Sequence, residues 1–166
     1  YVYDMEEGRS DVYFGEESTV QCHISDTRRA SVFGTPGVDI DWRNQNTFFL
    51  KTGEAKTYIG KYRGVNRIPL LKLSEMYLIA AEASGDKGYL QTLRDHRGYV
   101  NYPLEENCDL AAEIEAEYRK EFMAEGQLFY YYKRLDYNTL PDMGVVMTGN
   151  YVFPMPDDEM EFGDIK

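Results

Sequence analysis

The sequence predicts a mainly α-helical protein whose N-terminal third is irregular and poor in β-structure. Apolar residues recur at helical spacing from Leu70 onward, which indicates packed helices. Glycines interrupt the first 67 residues too often for a helical period: Gly8, Gly15, Gly34, Gly37, Gly53, Gly60 and Gly64. The 166 residues suffice for one domain with its own core. We expect a loop-rich region with short strands at 1–67, helices at 68–136 and an extended tail at 137–166.

Two runs in the loop-rich region favour short strands. Residues 18–24 and 56–62 each alternate apolar and polar side chains, as a half-buried strand does. We therefore expect one or two short hairpins in this region, and a helical turn at 3–7.

A helical hairpin is predicted between positions 70 and 98. Pro69 suits the segment that leads into the first helix, because the residue before a proline avoids helical angles. Gly85 suits the C-terminal end of this helix. The second helix covers 87–96 and Gly98 closes it. The apolar faces of the two helices comprise Leu73, Tyr77, Ala80 and Ala81, and Tyr89, Leu90 and Leu93. The connection is short, so the two helices should lie antiparallel.

A second pair of helices is predicted at 110–124 and 127–135. Asp109 is a favourable N-cap, and Gly126 interrupts the helical run between the two. The side chains expected in the core are Ile114, Tyr118, Phe122, Leu128, Tyr131, Tyr132 and Leu135. Small residues in the first hairpin suggest hairpins like those of tetratricopeptide repeats (TPR-like), although the period does not repeat regularly enough to identify that repeat from the sequence.

Composition and charge exclude several classes of partner. The formal net charge of −11 would repel nucleic acid phosphates and anionic lipid, so we expect no nucleic-acid partner. No apolar run approaches the roughly 20 residues of a membrane-spanning helix. Cys22 and Cys108 have no metal-ligand spacing, and either one disulfide or two free thiols is compatible with the sequence. Cys22 follows no apolar leader, so we do not interpret it as a lipid attachment site.

Three glutamates at helical spacing are the main candidates for catalysis. Glu117, Glu121 and Glu125 would line one helix face, where two carboxylates about 6 Å apart meet the spacing of a glycosidase. Carboxylates beside Arg119, Lys120 and other helices more often form ion pairs, and we favour that interpretation. We therefore expect no catalytic residue, no metal and no cofactor. The acidic runs 39–41 and 157–159 lack the spacing of a calcium loop and are interpreted as solvated.

The single tryptophan lies in a segment with the chemistry of a sugar site. A sugar presents apolar C–H faces and hydroxyl rims, which a flat aromatic ring and neighbouring polar side chains can bind. Trp42 is followed by Arg43, Asn44, Gln45 and Asn46. We take Trp42, Arg43, Asn44 and Tyr58 as candidate substrate-binding residues. The alternative is that Trp42 fills the core beneath a loop.

Four segments, in this order, resemble the C-terminal half of the SusD/RagB family of outer-membrane nutrient-binding lipoproteins. Ile-Pro-Leu-Leu-Lys-Leu-Ser-Glu-Met-Tyr-Leu-Ile-Ala-Ala-Glu-Ala at 68–83 is similar to the family's first helix of this half. Leu-Gln-Thr-Leu-Arg-Asp-His-Arg-Gly at 90–98 resembles its next helix. Glu117, Glu121, Glu125 and Gly126 match a third motif, and Tyr-Val-Phe-Pro-Met-Pro at 151–156, with Glu159, resembles the closing segment. Asp26-Thr27-Arg28 is similar to an upstream Asp-x-Arg.

Three positions depart from the family pattern. Tyr118 and Leu128 stand where the family usually has arginine, and Tyr131 stands where it usually has aspartate. In the family these residues resemble a network of charge pairs. We therefore expect an aromatic core patch in place of an ionic one. The alternative is that the alignment with the family pattern is offset by one residue.

The resemblance implies a surface-exposed outer-membrane lipoprotein, anchored by a lipid that this chain does not carry. It implies binding of an oligosaccharide or other nutrient without catalysis, and delivery to a TonB-dependent transporter of the SusC/RagA type. From this resemblance we expect the protein to take part in carbohydrate uptake and polysaccharide utilization. The alternative is a helical-repeat scaffold that binds other proteins and no glycan.

Overall fold

In the computed structural model of the chain, the described residues are 2–4, 22–65, 67–141, 144–149 and 151–152, with backbone alone for the first range. The chain divides into two compact units, Tyr1–Glu125 and Gly126–Lys166. Helices dominate, as predicted. None of the helices in the described part is long and apolar enough to cross a membrane. Cys22 and Cys108 are both free thiols.

The N-terminal third contains a helix that the sequence did not predict. Helix α1 spans Asp26–Ile40 and begins at Ser25, whose hydroxyl accepts a hydrogen bond from the backbone N–H of Arg28. The backbone leaves helical angles at Gly34 and Thr35, and the helix resumes at Pro36, a residue that suits a first helical turn. The expectation of an irregular region was therefore wrong for residues 26–40. The helix consists of two short segments on either side of a break, and neither segment is long enough to show a clear apolar period in the sequence.

A short helix and two small sheets complete the N-terminal part. Helix α2 spans Trp42–Asn46 and is capped by the Asp41 carboxylate. The strands are β1 Val2–Asp4, β2 His23–Ile24, β3 Phe48–Leu50, β4 Thr57–Ile59 and β5 Arg67–Pro69. One antiparallel sheet has the order β2-β4-β3, and β1 pairs antiparallel with β5. The strand predicted at 56–62 is confirmed as β4, whereas the helical turn predicted at 3–7 is wrong at residues 3 and 4, which lie in β1.

The predicted helical hairpin is present. Helix α3 spans Leu73–Ser84, Gly85 ends it in a left-handed conformation with φ of 71°, and helix α4 spans Lys87–Arg94. A π-helical turn, Asp95–Tyr99, follows α4 and contains Gly98. The two helices pack against each other, and the rings of Tyr77 and Tyr89 lie 6.5 Å apart.

The buried side of α3 differs from the predicted one. Ala81 is buried as predicted, but the other buried residues are Ser74 and Leu78, and Leu73 is 72% exposed. The physical reason is that α3 packs on two neighbours, α4 and helix α5 (Leu110–Glu121), so its core stripe is rotated from the one that periodicity alone suggests. On α4, Leu90 and Leu93 are buried as predicted, but Tyr89 is 43% exposed.

Helix α5 matches its prediction closely. Asp109 caps it by accepting hydrogen bonds from the backbone N–H groups of Ala111 and Ala112. Ile114, Tyr118 and Phe122 are all buried, and the rings of Tyr118 and Phe122 stack 5.4 Å apart.

In the second unit, helix α6 spans Gln127–Arg134 after Gly126, whose φ is 76°. Tyr131 and Tyr132 are buried as predicted, whereas Leu135, which was also predicted in the core, is 38% exposed. The ring centres of Tyr132 and Tyr137 lie 5.0 Å apart. The tail is not simply extended, because Thr139 and Val146 form an antiparallel bridge. Pro154, Pro156 and the acidic run 157–159 lie outside the described residues, so the extended tail predicted beyond position 152 stays a prediction.

Candidate functional site

The centre of the first unit is a buried network of charged side chains around Arg43. The side chain of Arg43 is 9% exposed, and its guanidinium binds three carboxylates. Its Nη2 lies 2.7 Å from Asp41 Oδ2 and 2.7 Å from Glu117 Oε2, and its Nη1 lies 3.1 Å from Glu121 Oε2. Asp41 also accepts hydrogen bonds from the Nε and backbone N–H of Arg43. One arginine thereby joins α2 to α5.

Each carboxylate of the predicted glutamate face is held by two cations. Glu117 pairs with Arg43 and Lys120. Glu121 pairs with Arg43 and with Arg97. The Nε and Nη2 atoms of Arg97 each lie 3.1 Å from a carboxylate oxygen of Glu121. Glu121 also accepts a hydrogen bond from Ser74 Oγ at 2.8 Å.

Glu125 follows the end of α5 and pairs with Lys61 and Lys72. The predicted ion pairing of this glutamate face is confirmed, and Lys120 is one of the predicted partners. The other cations come from α2, the π turn, the segment after β4 and the residue before α3.

Burial and neighbouring charges shift the pKa values of several side chains in the network. Burial alone raises the pKa of Glu121, but the hydrogen bonds and charge of Arg97, with the charge of Arg43, lower it to about 2 from an ordinary 4.5. The pKa of Glu117 is also lowered, because Arg43 and Lys120 outweigh its burial. Burial lowers the pKa of Lys61 to about 8, despite the attraction of Glu125. Thus the two buried glutamates stay ionised near neutral pH.

The Glu121 pKa predicts an acid-sensitive fold. Because the folded pKa lies below the unfolded one, the stabilisation is present above about pH 4.5 and is lost as pH falls toward 2. We expect the free energy of unfolding, measured by urea denaturation at pH 6, 4.5 and 3, to fall over this window. The Arg97→Met variant removes the main cause of the shift, so its stability should depend less on pH. An unchanged acid slope in that variant would contradict the assignment.

The structure separates the four residues expected to bind substrate. Arg43 is buried in the network. Asn44 is 8% exposed and donates a hydrogen bond to the carbonyl of Val38 at 2.6 Å. Tyr58 is 5% exposed, stacks on Phe49 and donates a hydrogen bond from its hydroxyl group to the Glu54 carboxylate. Trp42 alone among them is at the surface, where it is 63% exposed. The four residues are therefore not brought together on one surface, and Trp42 does not fill the core.

The exposed Trp42 stands between two fixed neighbours. Asp41 before it is fully buried, and Arg43 after it is held by three carboxylates, so the backbone that carries the indole cannot easily move. Asn46 donates a side-chain hydrogen bond to the carbonyl of Trp42 at 2.8 Å, and Gly98 lies close to the indole. An exposed aromatic ring on a fixed backbone is well suited to stack against an apolar face.

Two features of the network were missed from the sequence. Asp41 belongs to an acidic run that we interpreted as solvated, yet it is fully buried in the network, as Glu117 is. The Asp-x-Arg pair that enters the network is Asp41-Trp42-Arg43, whereas Asp26 lies exposed at the start of α1. An available signal was the Asp-x-Arg spacing itself, which occurs three times, at 26–28, 41–43 and 95–97, but spacing does not show which copies meet the glutamates.

The expected aromatic replacement of the ionic patch is also corrected. Tyr118 and Tyr131 are buried, as an aromatic patch requires, but each lies in its own unit and the ionic patch is still present. Arg43 and Arg97 supply the positive charges that we expected to be missing.

Within the described part of the chain, no group of three His, Cys, Asp or Glu residues is arranged to hold a metal ion. The arrangement places an exposed aromatic side chain next in sequence to two members of a neutralised charge cluster.

The chain matches no protein-family model, and it has no significant match among curated proteins or solved structures. The resemblance to the SusD/RagB family therefore rests on the sequence motifs alone.

Proposed function

We propose that this protein binds glycan at the outer membrane surface without catalysis and passes it to a TonB-dependent transporter, in the manner of the SusD/RagB family. The observation that carries the proposal is Trp42, an exposed indole, 63% accessible, set between two buried residues of the charge network. Stacking of a sugar ring on such an indole, with hydrogen bonds from neighbouring polar groups, is the chemistry of reversible glycan capture.

The state of the glutamates supports a function without bond cleavage. A glycosidase needs one carboxyl group protonated as an acid and another free as a base or nucleophile. Glu117 and Glu121 are buried, each is paired with two cations, and their pKa values are lowered, so neither is suited to donate a proton. The network instead stabilises the fold that presents Trp42.

The finer architecture belongs to the same proposal. We interpret the pair α3 and α4 as a TPR-like hairpin of a SusD-like C-terminal half, because a two-residue connection joins two packed helices. On this interpretation the protein is a surface lipoprotein of the outer membrane, its ligand is an oligosaccharide or other nutrient, and its partner is a SusC/RagA-type transporter.

Glycan binding should be visible in the fluorescence of Trp42, the only tryptophan in the chain. An exposed indole emits at long wavelength, and stacking under a sugar should shift the emission and change its intensity. We expect titration with neutral oligosaccharides to produce this change. Trp42→Ala should weaken binding, measured by calorimetry, by about tenfold, the equivalent of 1.4 kcal/mol of lost stacking.

Tyr130→Ala is the matched control, because Tyr130 is equally exposed at 63% but lies in the second unit. It should leave the affinity unchanged. Absence of binding across a broad glycan array would refute the proposal. Release of reducing sugar that disappears in Glu121→Gln would show a hydrolase instead.

A second function, a scaffold for protein partners, is favoured by one observation. Helix α3 exposes large apolar side chains that share a face: Leu73 is 72%, Met76 45% and Ile79 45% exposed. A stripe of this kind often marks an interaction surface. If no glycan binds but a transporter fragment does, and Met76→Lys abolishes that interaction, the scaffold function would be the correct one.

A further inference from the structure

A groove separate from the charge network lies between α1 and the edge of the three-stranded sheet. It has a volume of about 270 Å³ and is lined by Asp26, Arg29, Phe48, Phe49, Leu50 and Thr57. Strand β3, which carries three of these residues, is an outer strand in the sheet order β2-β4-β3. The groove therefore combines the first turn of a helix with an edge strand.

The apolar part of the groove is fixed in place. The ring of Phe48 meets the buried ring of Phe33 edge to face at 5.9 Å, and the guanidinium of Arg29 lies 5.6 Å from the centre of the Phe48 ring. Leu50 is 68% exposed, although an apolar side chain gains from burial. A ligand that covers Leu50 would remove this surface from water.

The polar part of the groove carries both donors and acceptors. Asp26 Oδ1 accepts a hydrogen bond from Thr57 Oγ1 at 3.3 Å, and it lies 3.5 Å from Arg29 Nη2. A carboxylate accepts from hydroxyls and a guanidinium donates to them, so the pair can bind neighbouring hydroxyl groups of one molecule. The Asp26 side chain is 79% exposed, so it can take up further hydrogen bonds.

Size and charge narrow the class of ligand. Small-molecule sites usually measure about 300–1,000 Å³, so a groove of 270 Å³ suits one sugar ring and not a long chain segment. An acidic sugar would meet the carboxylate of Asp26 and a protein of net charge −11. A neutral sugar avoids both repulsions and uses the apolar floor as well.

We propose that the groove between α1 and β3 binds one neutral monosaccharide unit, which Asp26, Arg29 and Thr57 hold through its hydroxyls and Phe48 and Leu50 contact through its apolar face. The site rests on the proposed glycan-binding function and adds a second contact to that of Trp42. The proposal also assigns a sugar class, because the groove should bind neutral sugars more strongly than uronic acids.

The test compares neutral oligosaccharides (gluco-, manno-, xylo- and galacto-configured hexasaccharides) with an oligogalacturonate by calorimetry. Arg29→Ala should weaken binding of the preferred neutral glycan about tenfold, and Thr57→Val about threefold, because each removes hydrogen bonds to a hydroxyl. Arg28→Ala is the matched control, since Arg28 is the neighbouring arginine of α1 but does not line the groove. In NMR titrations the amides of Asp26, Leu50 and Thr57 should shift.

The outcomes separate the two proposals. Glycan binding that Trp42→Ala weakens, while Arg29→Ala and Thr57→Val leave it unchanged, would refute the groove and retain the proposed function. Stronger binding of oligogalacturonate than of any neutral glycan would overturn the assigned sugar class. No binding by the wild-type protein would refute both. Circular dichroism of each variant shows whether a loss of affinity comes from loss of folding.

Discussion

Arg43→Met should lower the free energy of unfolding by about 3–5 kcal/mol, because it leaves buried carboxylates without their shared counter-charge. Asp41 is fully buried and loses its charged partner, while Glu117 and Glu121 each lose one of two cations. Methionine keeps much of the side-chain volume, so the effect reports charge more than packing. Urea denaturation at pH 7, followed by circular dichroism, measures the loss.

Two further variants isolate the cause. Arg28→Met replaces a less buried arginine of α1 and should cost less than about 1 kcal/mol. In the double variant Asp41→Asn with Arg43→Met, no charge is stranded at position 41, so its cost should be smaller than the sum of the single costs. Additive costs, or a loss below 1 kcal/mol in Arg43→Met, would show that the network does not stabilise the fold.

Gly98→Ala should destabilise the protein by roughly 3 kcal/mol or more. Gly98 has φ of 107°, which an L-residue adopts only under strain. A Cβ at this position would also lie 2.3 Å from the backbone carbonyl oxygen of Ile40, and relief requires the π turn to move away from α1. Thermal and urea denaturation give the size of the loss.

Gly85→Ala provides the matched control for this substitution. Gly85 has φ of 71°, but no atom lies within 4 Å of a Cβ built there, so only the backbone cost of about 1–2 kcal/mol applies. The same Cβ at position 98 would contact the indole of Trp42 at 3.5 Å, so Gly98→Ala should also change the tryptophan emission. Equal losses in the two variants would show that the close approach of the π turn and α1 is unimportant.

The helices that were predicted well from the sequence are those with a clear local signal at one end. Asp109 before α5, Gly85 after α3 and Gly126 before α6 act through bonds and angles within a few residues. Spacing within α5 also identified its buried face correctly. These features depend on local backbone physics and on one apolar stripe per helix.

Helix α1 was missed for a reason that is also physical. Its glycines argue against a helix, but Gly34 lies at the break, and Gly37 allows the hydroxyl of Tyr99 to approach so closely that a Cβ there would lie 2.3 Å from it. Whether position 37 requires a glycine therefore depends on Tyr99, a residue 62 positions later in the chain. The rotated core stripe of α3 has a similar origin, since two neighbouring helices share its surface.

Capping, chain breaking and apolar periodicity are local, so the mainly helical class and the positions of the helix pairs could be predicted from the residues, as could the chemistry available on the chain. Which charged residues are buried and which aromatic is exposed depends instead on contacts between distant parts of the chain. A buried charge is tolerated when opposite charges surround it, and Arg43 finds its partners 74 and 78 residues later, in Glu117 and Glu121. That long-range neutralisation holds Arg43 inside and leaves Trp42, its immediate neighbour, at the surface.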